Sequence, residues 1–112
     1  MLAYDLKRTL QDTYEMIFVD RNECDITQFE SVKNCIWNYK PDIVLNCAAY
    51  TAVDDAEDIG RKMCYEVNTL GSYHLAKAAM QVGIDLINIS TDYVFDGEKK
   101  EGYTPNDTCN PI

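Results

Sequence analysis

Ile84-Asp85-Leu86-Ile87-Asn88-Ile89-Ser90-Thr91-Asp92-Tyr93-Val94-Phe95-Asp96-Gly97 is the stretch whose reading decides the fold. Ile84, Leu86, Ile87 and Ile89 form a short apolar run bounded by Gly83 and by the polar residues Ser90 to Asp92. A run of that length between turn formers is the pattern of a buried strand in a parallel sheet. Ligands of open α/β sheets bind outside the carboxyl ends of the strands. That is where Ser90, Thr91, Asp92 and Tyr93 place two hydroxyls, a carboxylate and a phenol. The same residues also suit a polar strand-to-loop transition whose side chains satisfy only local backbone groups.

Upstream of this stretch, Ala56, Ile59, Met63, Val67, Leu70, His74 and Ala78 fall on one side of a helix expected over Asp55 to Val82, with Gly83 as its stop. Gly60 and Gly71 weaken that helix locally. Because a helical glycine costs ~1 kcal/mol relative to alanine, Gly71 is expected to mark close packing on a neighbour. Asp42 to Ala49 carries Ile43-Val44-Leu45 between polar ends and finishes in Asn46-Cys47-Ala48-Ala49. It reads as a second buried strand whose small terminal residues let a flat ligand approach the backbone. Thr27 with Glu30 gives a capping-box pattern, and Phe29, Val32, Ile36 and Tyr39 continue at helical spacing to Lys40, where Pro41 ends the helix. Met16 to Val19 reads as a third buried strand, with Asp20 at its tip, and Leu2, Leu6 and Leu10 mark an amphipathic helix before it. Downstream, Asp96 to Gly102 is turn-rich and charged, and the tail to Ile112 is expected to be a loop. Helices alternating with strands predict an α/β fold, a parallel sheet with helices on both faces.

Composition narrows the function. The chain of 112 residues is one domain at most, and 46% hydrophobic with 26% charged residues is ordinary for a globular protein. A formal net charge of -9 leaves no basic stripe to release counterions from DNA or RNA, so no nucleic-acid partner is expected. The five cysteines, Cys24, Cys35, Cys47, Cys64 and Cys109, show neither C-x-x-C nor His-paired spacing. No metal site and no disulfide framework are expected from them. With no signal peptide and no membrane-spanning run in the sequence, the expected location is the cytoplasm, and the sequons at Asn88 and Asn106 are read as chance.

Three segments carry a resemblance. Asn46-Cys47-Ala48-Ala49-Tyr50-Thr51-Ala52-Val53-Asp54, then Asn68-Thr69-Leu70-Gly71 with Leu75 and Ala78-Ala79, then Ser90-Thr91-Asp92-Tyr93-Val94-Phe95-Asp96-Gly97, resemble the dTDP-4-dehydrorhamnose reductases of the extended short-chain dehydrogenase/reductases. The closing Asn110-Pro111-Ile112 resembles the segment before that family's catalytic Tyr-x-x-x-Lys, which is absent here. Met1-Leu2-Ala3-Tyr4-Asp5-Leu6 resembles the helix after the family's first strand and Gly-rich phosphate turn, both also absent. The resemblance therefore implies an internal fragment: residues 1–112 as a partial NAD(P)-binding, Rossmann-like, doubly wound domain, with the substrate-binding domain absent.

The resemblance also implies roles. Asp20 resembles the acidic residue that binds the adenine ribose, and Asp25 with Ile26 the adenine contact. Ala48, Ala49, Tyr50 and Thr51 resemble the stretch lining the nicotinamide side, and Asn68 is grouped with these cofactor residues. Thr91 resembles the catalytic hydroxyl and, with Asp92 and Tyr93, a contact to the sugar nucleotide. The implied reaction is reduction of a dTDP-4-dehydro sugar to dTDP-L-rhamnose for cell-surface polysaccharide. Asp20 favours NADH by repelling a 2'-phosphate, while Arg21 beside it can turn toward that phosphate, so use of both NADH and NADPH is expected. A homodimer is allowed for a full-length protein. Two other readings stand: a non-catalytic Rossmann-like regulatory or protein-interaction subunit, and a sugar-nucleotide epimerase or dehydratase of the same group. Without the central first strand, the sheet should be split, leaving Ile17, Val19, Ile43 and Leu45 exposed and the fragment poorly stable and inactive by itself.

Overall fold

A computed structural model describes residues 2–111; Met1 and Ile112, which belong to the two terminal stretches used in the resemblance, lie outside the described residues. Two helices and two strands make the core. Helix α2 (Phe29–Tyr39) buries Val32 and Ile36, one turn apart, against Leu75 and Ala78 of helix α5 (Ser72–Val82). Full burial of a side chain such as Val32 stabilises by roughly 1.5–3 kcal/mol. The two helix ends follow from local chemistry. Lys40 takes a left-handed conformation (φ 46°) where Pro41 forbids continuation, and Gly83 does the same at φ 72°, where the absence of a Cβ removes the strain.

Strands β1 (Ile43–Asn46) and β2 (Asp85–Asn88) pair in parallel, Ile43 opposite Asp85, Val44 opposite Leu86, Leu45 opposite Ile87 and Asn46 opposite Asn88. The long crossover through α5 is what a parallel pair requires. Val44, Ile84 and Leu86 pack on the α2/α5 cluster. On the opposite face Ile43, Ile87 and Ile89 remain about half exposed, at 50%, 51% and 48%. The expectation of strands buried on both faces is therefore corrected: both core helices cover the same face. Leu45, expected to be exposed, is half-buried.

The third expected strand does not form. Residues 15–20 have no ladder partner, and Ile17, Phe18 and Val19 are exposed. The described sheet has two strands. Helix α1 (Leu2–Leu10) buries no residue, and the Lys7 ammonium lies 5.1 Å from the centre of the Phe18 ring.

The single helix expected over Asp55 to Val82 is broken. A short helix α3 (Val53–Ala56) ends in a turn in which Gly60 N–H donates to Asp55 O at 2.7 Å, and helix α4 (Arg61–Cys64) leads through a π-helical stretch, Tyr65–Gly71, into α5. Gly60 lies in that turn, and the Tyr50 hydroxyl and the Asp55 carbonyl occupy the space a Cβ there would need. Gly71 marks the close approach its sequence position implied: a Cβ there would lie 2.6 Å from Ile26 Cδ1. The capping box is a second correction. Gln28 holds the N-cap position without a side-chain bond, and the Thr27 hydroxyl donates instead to Asp25 Oδ1 at 2.7 Å.

Candidate functional site

The carboxyl ends of β1 and β2 are fastened to each other by side chains as well as backbone. Asn46, only 7% exposed, donates through Nδ2 to Asn88 Oδ1 at 2.7 Å and accepts from Ala48 N–H at 3.0 Å through Oδ1. Ile89 N–H donates to Asn46 O at 3.3 Å. The two segments thus leave the sheet from neighbouring strand ends, Cys47 to Thr51 from one strand and Ser90 to Tyr93 from the other. Burial raises the pKa of the Cys47 thiol, which keeps it protonated and a poor nucleophile.

The segment after β1 is held by Asn68. Its Oδ1 accepts from Tyr50 N–H at 2.8 Å and its Nδ2 donates to Tyr50 O at 3.1 Å, so one amide takes both polar groups of one residue, as a neighbouring strand would. Asn68 sits in the π-helical stretch, a widened turn of the kind often found at functional sites. Its direct role is to fix the backbone at Tyr50. Ala48, Ala49 and Thr51 are exposed, while Tyr50 is half-buried and reaches toward Gly60.

The acidic turns before α2 form a second group. Asp20 Oδ1 accepts from Asn22 N–H at 2.7 Å and Glu23 N–H at 3.3 Å, so its carboxylate shapes a turn at the end of the unpaired segment. Asp25 accepts from the Thr27 hydroxyl and, at 3.0 Å, from Thr27 N–H, and Arg21 Nε lies 3.7 Å from its Oδ2. The Thr27 hydroxyl, with Thr27 N–H and Arg21, holds the Asp25 pKa below the usual carboxylate value. Ile26 is placed by two contacts: its side chain fills the notch at Gly71, the end of the π-helical stretch, and its carbonyl lies 2.8 Å from His74 Nδ1 on α5. His74 is packed against Phe29, ring centres 5.7 Å apart, and serves this placement.

Beyond β2, a single 3-10 turn spans Asp92–Val94, and Thr91 caps it. The Thr91 hydroxyl accepts from Tyr93 N–H at 3.3 Å and donates to Asp92 Oδ1 at 3.2 Å. Thr91, Asp92 and Tyr93 are all exposed. The following loop is irregular, as its composition implies, yet closely tied. Asp96 accepts from the Tyr103 hydroxyl, from Asn110 Nδ2 at 2.9 Å and from Glu98 N–H at 3.1 Å. Those bonds, with Asn110 first, depress its pKa to about 2. Phe95 and Tyr103 stack with ring centres 4.2 Å apart, and Lys99 closes the loop on Asp107 at 2.7 Å.

The family model described as RmlD substrate binding domain matches residues 1–112. The chain belongs to the RmlD family. A dTDP-4-dehydrorhamnose reductase of Aggregatibacter actinomycetemcomitans is 39% identical over 113 residues, covering 99% of this chain and 38% of the relative. A spore coat polysaccharide biosynthesis protein of Bacillus subtilis is 36% identical, covering 98% of this chain and 39% of the relative. The crystal structure of a Bacillus anthracis dTDP-4-dehydrorhamnose reductase in complex with NADP superposes with TM-score 0.91 at 37% identity, over 98% of this chain and 40% of that one. A Clostridium acetobutylicum reductase structure gives TM-score 0.90 at 41% identity, with 98% and 39% coverage. The chain thus spans about two fifths of the length of these RmlD-family relatives, and its α/β fold is theirs.

Within this RmlD-family fold, sequence reasoning passed over several residues. Asn46 and Asn88 each follow two apolar residues, Val44-Leu45 and Leu86-Ile87, with the same amide, a repeated signal that could have identified the cross-strand pair. The Asp96, Tyr103 and Asn110 cluster had no such signal, since its members are spread along a loop. A Tyr-x-x-x-Lys spacing does occur, at Tyr73 and Lys77, but on α5. There Lys77 Nζ lies over the rings of Phe29 at 4.7 Å and Tyr73 at 5.7 Å, a cation-π arrangement on the helix surface.

Proposed function

We propose that this chain is the cofactor-holding part of an NADPH-dependent reductase that converts dTDP-4-dehydro-L-rhamnose to dTDP-L-rhamnose, a sugar nucleotide for cell-surface polysaccharide. The observation that carries the reading is the juxtaposition of the two strand tips. The Asn46 to Asn88 bond ties together the strand ends from which the Ala48 to Thr51 segment, with Ala48, Ala49 and Thr51 exposed, and the hydroxyl-bearing turn capped by Thr91 emerge. The residues present fit a dinucleotide in two places. Asp20, exposed, and Asp25, half-buried, offer carboxylates at turns for ribose and adenine, and Ala48 and Ala49 leave the backbone open to a flat ring.

When bound, the nicotinamide supplies the hydride. The protein groups align the partners and stabilise the negative charge that develops on the ketone oxygen. Thr91 donates one hydrogen bond to that oxygen once its hydroxyl turns from Asp92. Asp92 and Tyr93, projecting from the same turn, contact the sugar nucleotide. Asn68 acts through Tyr50, keeping the nicotinamide-side backbone in place. NADPH is favoured over NADH by the RmlD-family structure that holds NADP and by Arg21, exposed next to Asp20. A cytoplasmic location is supported by the free thiols of Cys24, Cys35, Cys47, Cys64 and Cys109. Among the described residues no helix is long and apolar enough to cross a membrane.

The test is a chimera in which this chain replaces the matching segment of the Aggregatibacter reductase. A folded chimera that oxidises NADPH and forms dTDP-L-rhamnose supports the reading. A folded chimera that binds NADPH without reducing the sugar makes this chain a non-catalytic relative. In the same chimera Asp20→Ala should weaken NADH more than NADPH, and equal weakening removes Asp20 from the ribose.

A further inference from the structure

The turn capped by Thr91 is three residues long, Asp92–Val94, with Asp92 and Tyr93 exposed, and is too short to hold its own shape. What holds it lies further along the chain. Val94 O, at the end of the turn, accepts from Asn110 N–H at 2.9 Å, and Asn110 Nδ2 donates to Asp96 Oδ2 at 2.9 Å. The other oxygen of Asp96 accepts from the Tyr103 hydroxyl and from Glu98 N–H. Tyr103 then stacks on Phe95, the residue joining the turn to Asp96. Chain positions 94, 95, 96, 98, 103 and 110 are thereby gathered on one carboxylate and one ring pair. A carboxylate receiving several donors is the stronger, charge-assisted kind of anchor.

We propose that Asp96 is a positioning residue for the sugar-nucleotide turn, joining it to the returning loop segment at Asn110 so that Asp92 and Tyr93 are presented in a fixed orientation. The inference rests on the reductase reading above and deepens it: Asp96 touches neither substrate nor cofactor and acts through the turn. Asp96→Ala removes the anchor. Asp96→Asn sets an amide against the Asn110 amide, whereas Asp96→Asn combined with Asn110→Asp exchanges the two groups and restores the bond with its polarity reversed.

Two measurements decide it. In the 112-residue chain, amide exchange at Tyr93 to Phe95 should quicken about tenfold in Asp96→Ala and return toward the parent rate in the exchanged double variant, the scale of one charge-assisted hydrogen bond. In the active chimera, Asp96→Ala should raise KM for the sugar nucleotide about tenfold, with the NADPH Kd and the melting temperature unchanged, and the double variant should recover most of that KM. A general structural role would instead lower the melting temperature and weaken both ligands together, and that result overturns the proposal. So does an unchanged sugar KM in an active chimera, while the reductase reading survives. A folded parent chimera with no reductase activity overturns both.

Discussion

Met16 to Val19 and Ile43 to Leu45 are two apolar runs with polar tips, Asp20 on one and Asn46 on the other, and their fates differ. The second pairs with β2, packs Val44 on the α2/α5 cluster and buries its terminal amide against Asn88. The first has no ladder partner and exposes Ile17, Phe18 and Val19. The difference teaches that a strand is made by its neighbour. Local β propensity is similar in the two runs, and what decides is whether another strand and a helix layer are present to receive them.

The largest effect expected from this contrast is functional and lies at the paired tips. In an active chimera, Thr91→Val should slow reduction by roughly tenfold to a thousandfold with NADPH affinity unchanged, and Thr91→Ser should retain much more. A valine variant as fast as the parent reduces Thr91 to a turn cap, the role its bond to Tyr93 N–H already gives it.

Next in size is the core beneath the paired run. Val32→Ala, at a fully buried position, should cost about 2–3 kcal/mol in chemical denaturation through lost contacts and a cavity. Phe18→Ala on the unpaired run should cost under about 0.5 kcal/mol, as exposed substitutions do. Equal costs would mean that the unpaired run is packed in solution. Asn46→Ala should follow at about 1–3 kcal/mol, because it orphans Asn88 and the Ala48 amide at a partly buried site. A neutral result there would detach the two strand tips from each other.

The smallest effect is a pH response of the loop beyond β2. Asp96 is depressed to about 2, below the ~3.9 of an unfolded aspartate, so its contribution is present above pH ~3.9 and lost as pH falls toward 2. Asp107, lowered chiefly by the Lys99 ammonium, shifts in the same direction. Proteolysis within residues 96–110 should therefore quicken between about pH 4 and 2, and a loop equally resistant across that range would separate its order from both carboxylates.

Legibility in the sequence followed the range of the interaction. Helix α2, the stop at Pro41, the C-cap at Gly83 and the close approach at Gly71 were readable because each depends on residues a few positions apart or on one glycine. The parallel pairing of the Ile43 and Leu86 runs was readable from their order with the intervening helix. Three features were not. The close contact at Gly60 depends on the Tyr50 hydroxyl reaching it from another segment, the clamp at Asn68 on the Tyr50 backbone, and the loop order on Asn110 returning to Asp96. The apparent capping box failed because Asp25 competes for the Thr27 hydroxyl. For the candidate site, the motifs at Ala48 to Thr51 and Ser90 to Tyr93 were legible as segments following the carboxyl ends of β1 and β2, whereas the side chains that hold those ends in place emerged only from the fold.

Residue-resolved amide exchange, measured in the 112-residue chain and again in an active chimera, tests most directly whether pairing makes the strand. In the chain alone, β1, β2 and the Ile89 amide bonded to Asn46 O should be protected, while Ile17, Phe18 and Val19 exchange at rates near those of an unfolded peptide. In the chimera the same three amides should become protected as strongly as β1. Protection at Ile17 to Val19 already in the chain alone, or its absence in an active chimera, would contradict the account.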